Sequence, residues 1–349
     1  MTHPISVDDF IRLPEPVPLA DVRTPAEFLQ GHVPGAFNLP LFSNEERVKV
    51  GTTYKQGSRE EAILLGFDLT GNKWSGFIRE ALKMAPQKKI AVHCWRGGMR
   101  SGAMAWALNL YGFEVYLITG GYKNYRRWAL KQFETLYELC ILGGMTGSGK
   151  TKILQQFKAL GEQIIDLEEL AQHQGSSYGT LGTLIQPTQE QFENNLAFAL
   201  SQLNKNRRIW VEDESLTIGK RFIPNPFWHQ MRQSVLVEMK VPHAQRTENL
   251  VKEYGRLNKE FLIECTQRIA KRLGPEQTRD AIAAIREDRM EDFIKLVLVY
   301  YDKTYQVGLS KRNKENVFPL AIEGADVAAQ AKSILNFASS LVASAQSAQ

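Results

Sequence analysis

Cys94 closes the apolar run 89–93 and opens Cys94-Trp95-Arg96-Gly97-Gly98-Met99-Arg100-Ser101, behind which a helical pattern begins. A thiol at the carboxyl end of a strand, followed by two glycines and a helix start, meets inward-turned backbone N–H groups and a positive field. Arg96 and Arg100 add cationic support. A thiolate so placed can accept a chalcogen atom or attack phosphorus. A buried, inert cysteine beside two surface arginines is the bland alternative, and the coincidence of strand, thiol, glycine pair and arginine spacing argues against it. A second group, Gly144-Met145-Thr146-Gly147-Ser148-Gly149-Lys150-Thr151, satisfies G-x-x-x-x-G-K-[ST] between a strand pattern and a helix pattern. Amides around Gly144, Gly147, Ser148 and Gly149 wrap phosphate oxygens, Lys150 supplies a point charge, and the Thr151 hydroxyl can ligate Mg2+. This motif fixes diphosphate binding but not the ester attached to it. The third group is the acidic strand end Glu212-Asp213-Glu214, where a second metal or water contact would be needed. Surface capping is an equal reading for any one of these acids.

The elements that must position these groups follow from short apolar runs alternating with helical spacing, the pattern of a parallel sheet covered by helices. Strands are expected at 19–22, 36–39, 89–93 and 115–117, with helices at 74–84 and 101–111. A boundary falls near 132–138, where 137–142 begins a new strand. The pattern then repeats, with helices at 150–160 and 189–203 and strands at 163–166 and 208–211. From 258 to about 305 the periodicity is helical, broken at Gly274-Pro275 and around 286–290. The low-complexity tail 338–349 is expected to fray. Two domains result, 1–134 and 135–349, the second with a helical C-terminal extension. The fold class is α/β.

Composition bounds the function. Hydrophobic residues make up 43% of the chain and charged residues 23%, ordinary for a protein with a real core. No run of about 18 uncharged apolar residues occurs and the N-terminus lacks a secretory layout, so a soluble, cytoplasmic protein without membrane association is expected. The three cysteines, Cys94, Cys140 and Cys265, are too scattered for a disulfide framework or a structural metal site. Net charge is +5, mildly favourable for a polyanion.

Two surface stretches leave alternatives open. Residues 122–131 put Lys123, Arg127 and Lys131 on one helical stripe with interleaved aromatics, which suits phosphate contacts and base stacking or equally a solvated helix over a core tryptophan. Further basic groups from Lys205 to Arg312, among them Arg208, Arg246 and Lys252, continue a track if they align. The apolar stretch 222–228 reads as a loop that lines a groove for an apolar ligand or, more often, packs on the core.

The Cys94 segment, together with Asp21-Val22-Arg23-Thr24-Pro25-Ala26-Glu27-Phe28 and the stretch from Gly31-His32-Val33-Pro34-Gly35 to Pro40, resembles the rhodanese (sulfurtransferase) domain over about residues 15–131. Cys94 takes the place of the persulfide-forming cysteine, and Asp21 and His32 are read as architectural. Cys94 to Arg100 has the longer C-x5-R form found in phosphatases, a length that admits a tetrahedral, phosphate-like anion. A rhodanese-like parallel-sheet domain ahead of a P-loop NTPase-like α/β domain resembles the tRNA 2-selenouridine synthase family, over nearly the whole chain. The carrying segments are 166–179, Gln189-Glu190-Gln191-Phe192-Glu193-Asn194 and 210–215. Gln172-His173-Gln174 departs from the Asn-His-Arg common in that family, which weakens a ligand role for position 174.

This resemblance implies a transferase acting on the wobble uridine in the anticodon loop of tRNA. Geranyl diphosphate alkylates the 2-thiouridine sulfur, then selenophosphate from a supplier supplies selenium to give 2-selenouridine. Its co-substrates are geranyl diphosphate and selenophosphate, with Mg2+ at the cradle and no tightly bound cofactor. Cys94 would be the selenium-handling thiolate, Arg96 and Arg100 anion binders, Glu212 or Asp213 metal or substrate contacts, and His173 and Ser176 weaker contacts near the cradle. The rival is an NTP-dependent kinase or NTPase with a regulatory rhodanese-like module.

Overall fold

The computed structural model describes residues 1–176, 178, 184–324 and 326–346. Ser177 and Gly179, within the resembling segment 166–179, lie outside the described residues. The chain divides into two compact units: Met1–Gln132 with Glu193–Phe198, and 133–192 with 199–349.

The first unit is built on a five-stranded parallel sheet of β1 (Thr2–Ile5), β2 (Leu19–Asp21), β3 (Phe37–Asn38), β4 (Lys89–His93) and β5 (Glu114–Ile118), in the order β1-β5-β4-β2-β3. β4 is therefore central, and from Ile90 onward it is wholly buried. Ile90 and Val92 pack with Met104 and Leu108 of the helix Met99–Leu110 and with Val115 of β5. Two helices that apolar spacing did not reveal, Asn44–Gln56 and Arg59–Thr70, start at Ser43 and Ser58 with reciprocal capping by Glu46 and Glu61. The Ser-x-x-Glu signal was present in both; their apolar faces are too weak for periodicity to show them.

Between β2 and the next helix lies a buried ion pair. Arg23 is 1% and Asp21 0% exposed, with Nη2 and Oδ2 2.5 Å apart. Arg23 also donates to the Gly31 carbonyl and lies 3.7 Å from the centroid of the Tyr122 ring. Arg23→Ala strands a carboxylate in the core, so it is expected to cost about 3–5 kcal/mol, read as a lowered urea midpoint at unchanged slope.

The second unit carries β6 (Leu139–Gly144), β7 (Gln163–Ile165), β8 (Ile209–Glu212), the hairpin of β9 (Thr217–Ile218) and β10 (Arg221–Phe222), then β11 (Val235–Lys240) and β12 (Val317–Ala321). Its parallel sheet runs β12-β11-β6-β8-β7, so β6 is central too. Leu142 of β6, Trp210 of β8 and Met239 of β11 share a core with Ile153 and Phe157 of the helix Lys150–Ala159. A separate helical core gathers Leu250, Leu262, Ile285, Phe293 and Leu298. The breaks expected from sequence occur there: Pro275 opens one helix and Met290 another.

The helix Val327–Gln346 runs into the stretch expected to fray. Ile334 and Ala338 are buried in the core shared with the helix Lys150–Ala159, with Leu341 packed against it, so packing holds the first residues of that stretch as helix. Residues 347–349 lie outside the described residues. No helix among the described residues is long and apolar enough to cross a membrane.

Candidate functional site

Both chemical loops leave the carboxyl end of a central parallel strand, the position at which open α/β sheets form ligand crevices. In the first unit, Cys94 follows β4. The carbonyls of Cys94 and Trp95 accept hydrogen bonds from the N–H groups of Tyr122 and Lys123, at 2.9 Å each. The helix Gly121–Gln132, which follows β5, thus takes up the loop's acceptors, which leaves its donors for the sulfur. Gly97 is obligatory: at φ +66° a Cβ would stand 2.8 Å from the Ile118 carbonyl oxygen.

Cys94 is 4% exposed. Burial pushes its thiol up, but the Ser101 hydroxyl and backbone N–H, the charge of Arg100 and the Arg96 N–H together hold it below the ordinary thiol value. The Ser101 Oγ donates to Sγ at 3.2 Å. The other two cysteines show what burial does without such donors. Cys140 is pushed up to about 12 and Cys265 is also raised. Ser101 is the neighbour that sequence reasoning passed over, although its place in the first turn of the helix behind the loop was a usable signal.

The two arginines diverge. Arg100 donates Nη1 to Glu27 Oε2 at 2.7 Å, and Glu27 also closes the capping box of the helix Pro25–Gln30. Arg96 is exposed and forms no ion pair among the described residues. Asp21 and His32 hold backbone rather than face the sulfur: Asp21 pairs with Arg23, and His32 bonds the Phe28 carbonyl and stacks on its ring. Asn194, from the resembling segment 189–194, is fully buried in this unit and donates to the His32 carbonyl and the Tyr122 hydroxyl.

In the second unit, Gly144–Thr151 joins β6 to its helix. Gly147 at φ +81° passes so close to the helix His243–Tyr254 that a Cβ would lie 2.8 Å from the Arg246 carbonyl oxygen. That helix braces the loop from outside, with Arg246 Nη1 donating to the Thr146 carbonyl and Asn249 Nδ2 to that of Gly147. Lys150 Nζ donates to the Gly144 carbonyl at 2.9 Å, and the Thr151 hydroxyl donates to Glu168 Oε2 at 3.0 Å. Ser148 is buried with its Oγ unpartnered.

The acids sort themselves by burial. Glu212 is 2% exposed; one oxygen accepts from the Glu168 N–H at 2.9 Å and the other has no partner. Burial first, then the charges of Asp166, Glu168 and Glu214, push its carboxyl well up. Glu214 is pushed up to about 8 by burial and by Glu168, and Glu168 is itself raised by burial against the opposing charge of Lys150. Asp213 is engaged elsewhere, 2.6 Å from the buried Arg312 guanidinium. His173 is buried with Nδ1 unpartnered, and the Ser176 hydroxyl bonds that of Tyr254. The structure thus brings Lys150, Thr151, Glu168, Glu212 and Glu214 together, and Glu168 is the member that sequence reasoning did not name. No group of three or more His, Cys, Asp or Glu residues among the described residues is disposed to hold a metal ion by itself. Mg2+ needs less, usually one or two carboxylates completed by phosphate and water, and the unpartnered Glu212 oxygen beside the Thr151–Glu168 pair fits that role.

The two surface stretches resolve toward packing. Tyr122, Tyr125 and Trp128 are buried, so the interleaved aromatics offer no stacking face, while Arg127 and Lys131 are exposed. Arg246 and Arg312 are buried in ion pairs, and Arg208 and Lys252 pair with Glu162 and Glu248. The stretch 222–228 packs on the core at Ile223 and Phe227, the more frequent of its two readings, but it is not all loop: its second half opens the helix Asn225–Gln233.

Comparison with known proteins agrees with this architecture. Residues 137–333 match a family model described as the tRNA 2-selenouridine synthase AAA domain, and residues 6–127 match the rhodanese-like domain. A protein of Nitrosomonas europaea named tRNA 2-selenouridine synthase is 39% identical over 259 residues, 72% of this chain and 67% of its own. Proteins of the same name from Shewanella denitrificans and Shewanella oneidensis are 35% and 34% identical, each covering 86% of this chain and 90% and 88% of their own. A rhodanese-like unit with an N–H-lined thiol, followed by a P-loop-like unit and matched nearly end to end by these relatives, means that the chain belongs to the tRNA 2-selenouridine synthase family.

Proposed function

We propose that this protein converts the wobble 2-thiouridine of tRNA to 2-selenouridine in two transfers, using geranyl diphosphate and then selenophosphate. In the first, the thiocarbonyl sulfur forms a bond to the geranyl carbon while the carbon–oxygen bond of the ester breaks. Diphosphate leaves with the bonding pair. Gly144–Thr151 is the seat for that leaving group: its amides and Lys150 offset the charge that develops on the departing oxygens. Lys150 is held on the Gly144 carbonyl, a neutral acceptor that an anionic phosphate oxygen readily replaces. Mg2+, when bound, supplies additional neutralisation of the diphosphate, with Thr151, Glu168 and Glu212 as its protein-side oxygens.

Alkylation makes the second transfer feasible, because an alkylated sulfur departs from the base as a thiolate far more readily than a bare thiocarbonyl. Selenium from selenophosphate takes its place on the base, and water accepts the phosphoryl group. Cys94 handles the selenium donor: its thiolate attacks phosphorus, an S–P bond forms as the P–Se bond breaks, the selenide so released displaces the geranyl thiolate from the base, and water hydrolyses the phosphocysteine to phosphate. Arg96, exposed and with no ion pair among the described residues, is better disposed than the Glu27-bound Arg100 to meet the anion.

One observation carries this reading: of three buried cysteines, only the one following the central strand of the rhodanese-like sheet has its thiol held down rather than pushed up. Purified protein incubated with 2-thiouridine-bearing tRNA, geranyl diphosphate and selenophosphate is expected to yield S-geranyl-2-thiouridine and then 2-selenouridine by nucleoside mass analysis. Rapid ATP turnover with neither product would instead support a nucleotide-driven enzyme with a regulatory rhodanese-like module.

A further inference from the structure

The second unit contains a cleft of about 310 Å³ lined by Met145, Met239, Lys240, Val241, Pro242 and Arg246. Met145 belongs to the phosphate loop, and the guanidinium of Arg246 reaches the Thr146 carbonyl, so the cleft opens directly beside the cradle. It lies on the β11 side of β6, away from the acids at the end of β8. Its volume is at the low end for small-molecule sites, about 300–1,000 Å³.

What the lining can bind follows from which polar groups are already engaged. Lys240 Nζ is 2.6 Å from Glu238, and both terminal nitrogens of Arg246 are 2.7 Å from Asp302. The Lys240 carbonyl accepts from the Ile322 N–H and the Pro242 carbonyl from the Arg246 N–H, and Pro242 has no N–H to give. Arg246 Nε has no partner among the described residues but is itself buried. A purine edge needs several donors and acceptors at fixed positions, and the terminal nitrogens of Lys240 and Arg246 and the Lys240 and Pro242 carbonyls are committed elsewhere. The remaining surface is two thioethers, a valine and a proline ring. Methionine adapts to irregular apolar shapes without a fixed hydrogen-bond pattern.

We propose that this cleft holds the apolar tail of the diphosphate ester whose phosphates sit on Gly144–Thr151, with Met239 and Val241 setting the chain length accepted. The inference rests on the reading of that loop as a diphosphate-ester site. It places the hydrocarbon next to Met145 and the leaving group on the loop amides.

Titration calorimetry of the full chain with methyl, pentyl and decyl diphosphate in Mg2+ buffer tests it. Each buried methylene is worth about a three- to fourfold gain, so decyl diphosphate is expected to bind at least about 100-fold tighter than methyl diphosphate. Val241→Asn, polar but uncharged, is expected to remove about tenfold or more of that gain while leaving methyl diphosphate within about twofold. The series on the unaltered protein decides the matter even where the variant folds poorly. A flat series overturns the inference and leaves the diphosphate site standing. Absence of any diphosphate binding overturns both. ADP binding more tightly than decyl diphosphate, and weakened by Val241→Asn, gives the cleft to a nucleobase and overturns the inference as well.

Discussion

Cys94→Ser is expected to lower selenium transfer to S-alkylated tRNA by on the order of 10³-fold or more, because a hydroxyl at that position stays protonated and is a far weaker nucleophile. Alkylation of the same tRNA by the diphosphate ester stays within about twofold, since no step of that transfer uses the thiol. Separate assay of the two products by nucleoside mass analysis checks both halves. Equal loss of both products would show that the sulfur serves the fold. Ser101→Ala gives the graded version. The thiolate is the reactive form, its fraction rises with pH through the thiol's own pKa, and the Ser101 donors hold that pKa down. Removing the hydroxyl therefore moves the acid limb of the selenium-transfer profile to higher pH. The variant is slow at neutral pH and recovers as the buffer is made alkaline, whereas a merely disturbed loop would depress the rate at every pH.

Lys150→Ala is expected to give the complementary pattern. In the proposed alkylation the ammonium is the charge that meets the departing phosphate, and loss of one such preorganised donor costs about 10²- to 10³-fold in rate, or about 2.7–4 kcal/mol. Alkylation falls by that amount, and selenium transfer to tRNA alkylated beforehand is unchanged. The fold is expected to tolerate the change, because Lys150 is half-buried and donates one hydrogen bond, to the Gly144 carbonyl, while Glu168 and Glu214, which lose the positive charge opposing their burial, are pushed further up and stay neutral. A variant that alkylates normally would remove the loop from the reaction.

These two positions were legible because their chemistry is local. A strand end, two or three glycines and a helix start are contiguous in sequence, and together they aim backbone amides at one point. The Cys94 loop and Gly144–Thr151 needed nothing distant to be recognised, and the helical breaks at Pro275 and Met290 were equally local. The alternating apolar runs likewise fixed two parallel α/β units, since a doubly covered sheet leaves that pattern in any order of its strands.

Sheet order and long-range pairing were not in the sequence, and they decide which side chains are free to act. Asp213 reads as a candidate contact from its strand-end position, yet Arg312, 99 residues away, takes it, while Glu212 beside it keeps an unpartnered oxygen. Arg100 and Arg96 look equivalent until Glu27, 73 residues earlier, captures the first. The braces on the phosphate loop come from residues 100 and 102 positions downstream, and the apolar cleft exists because β11, which no motif announced, pairs directly with β6. Local backbone geometry can be written in a dozen neighbouring residues; charge neutralisation and cavity shape depend on which distant surfaces the folded sheet brings to the same strand end, and only the tertiary structure supplies that.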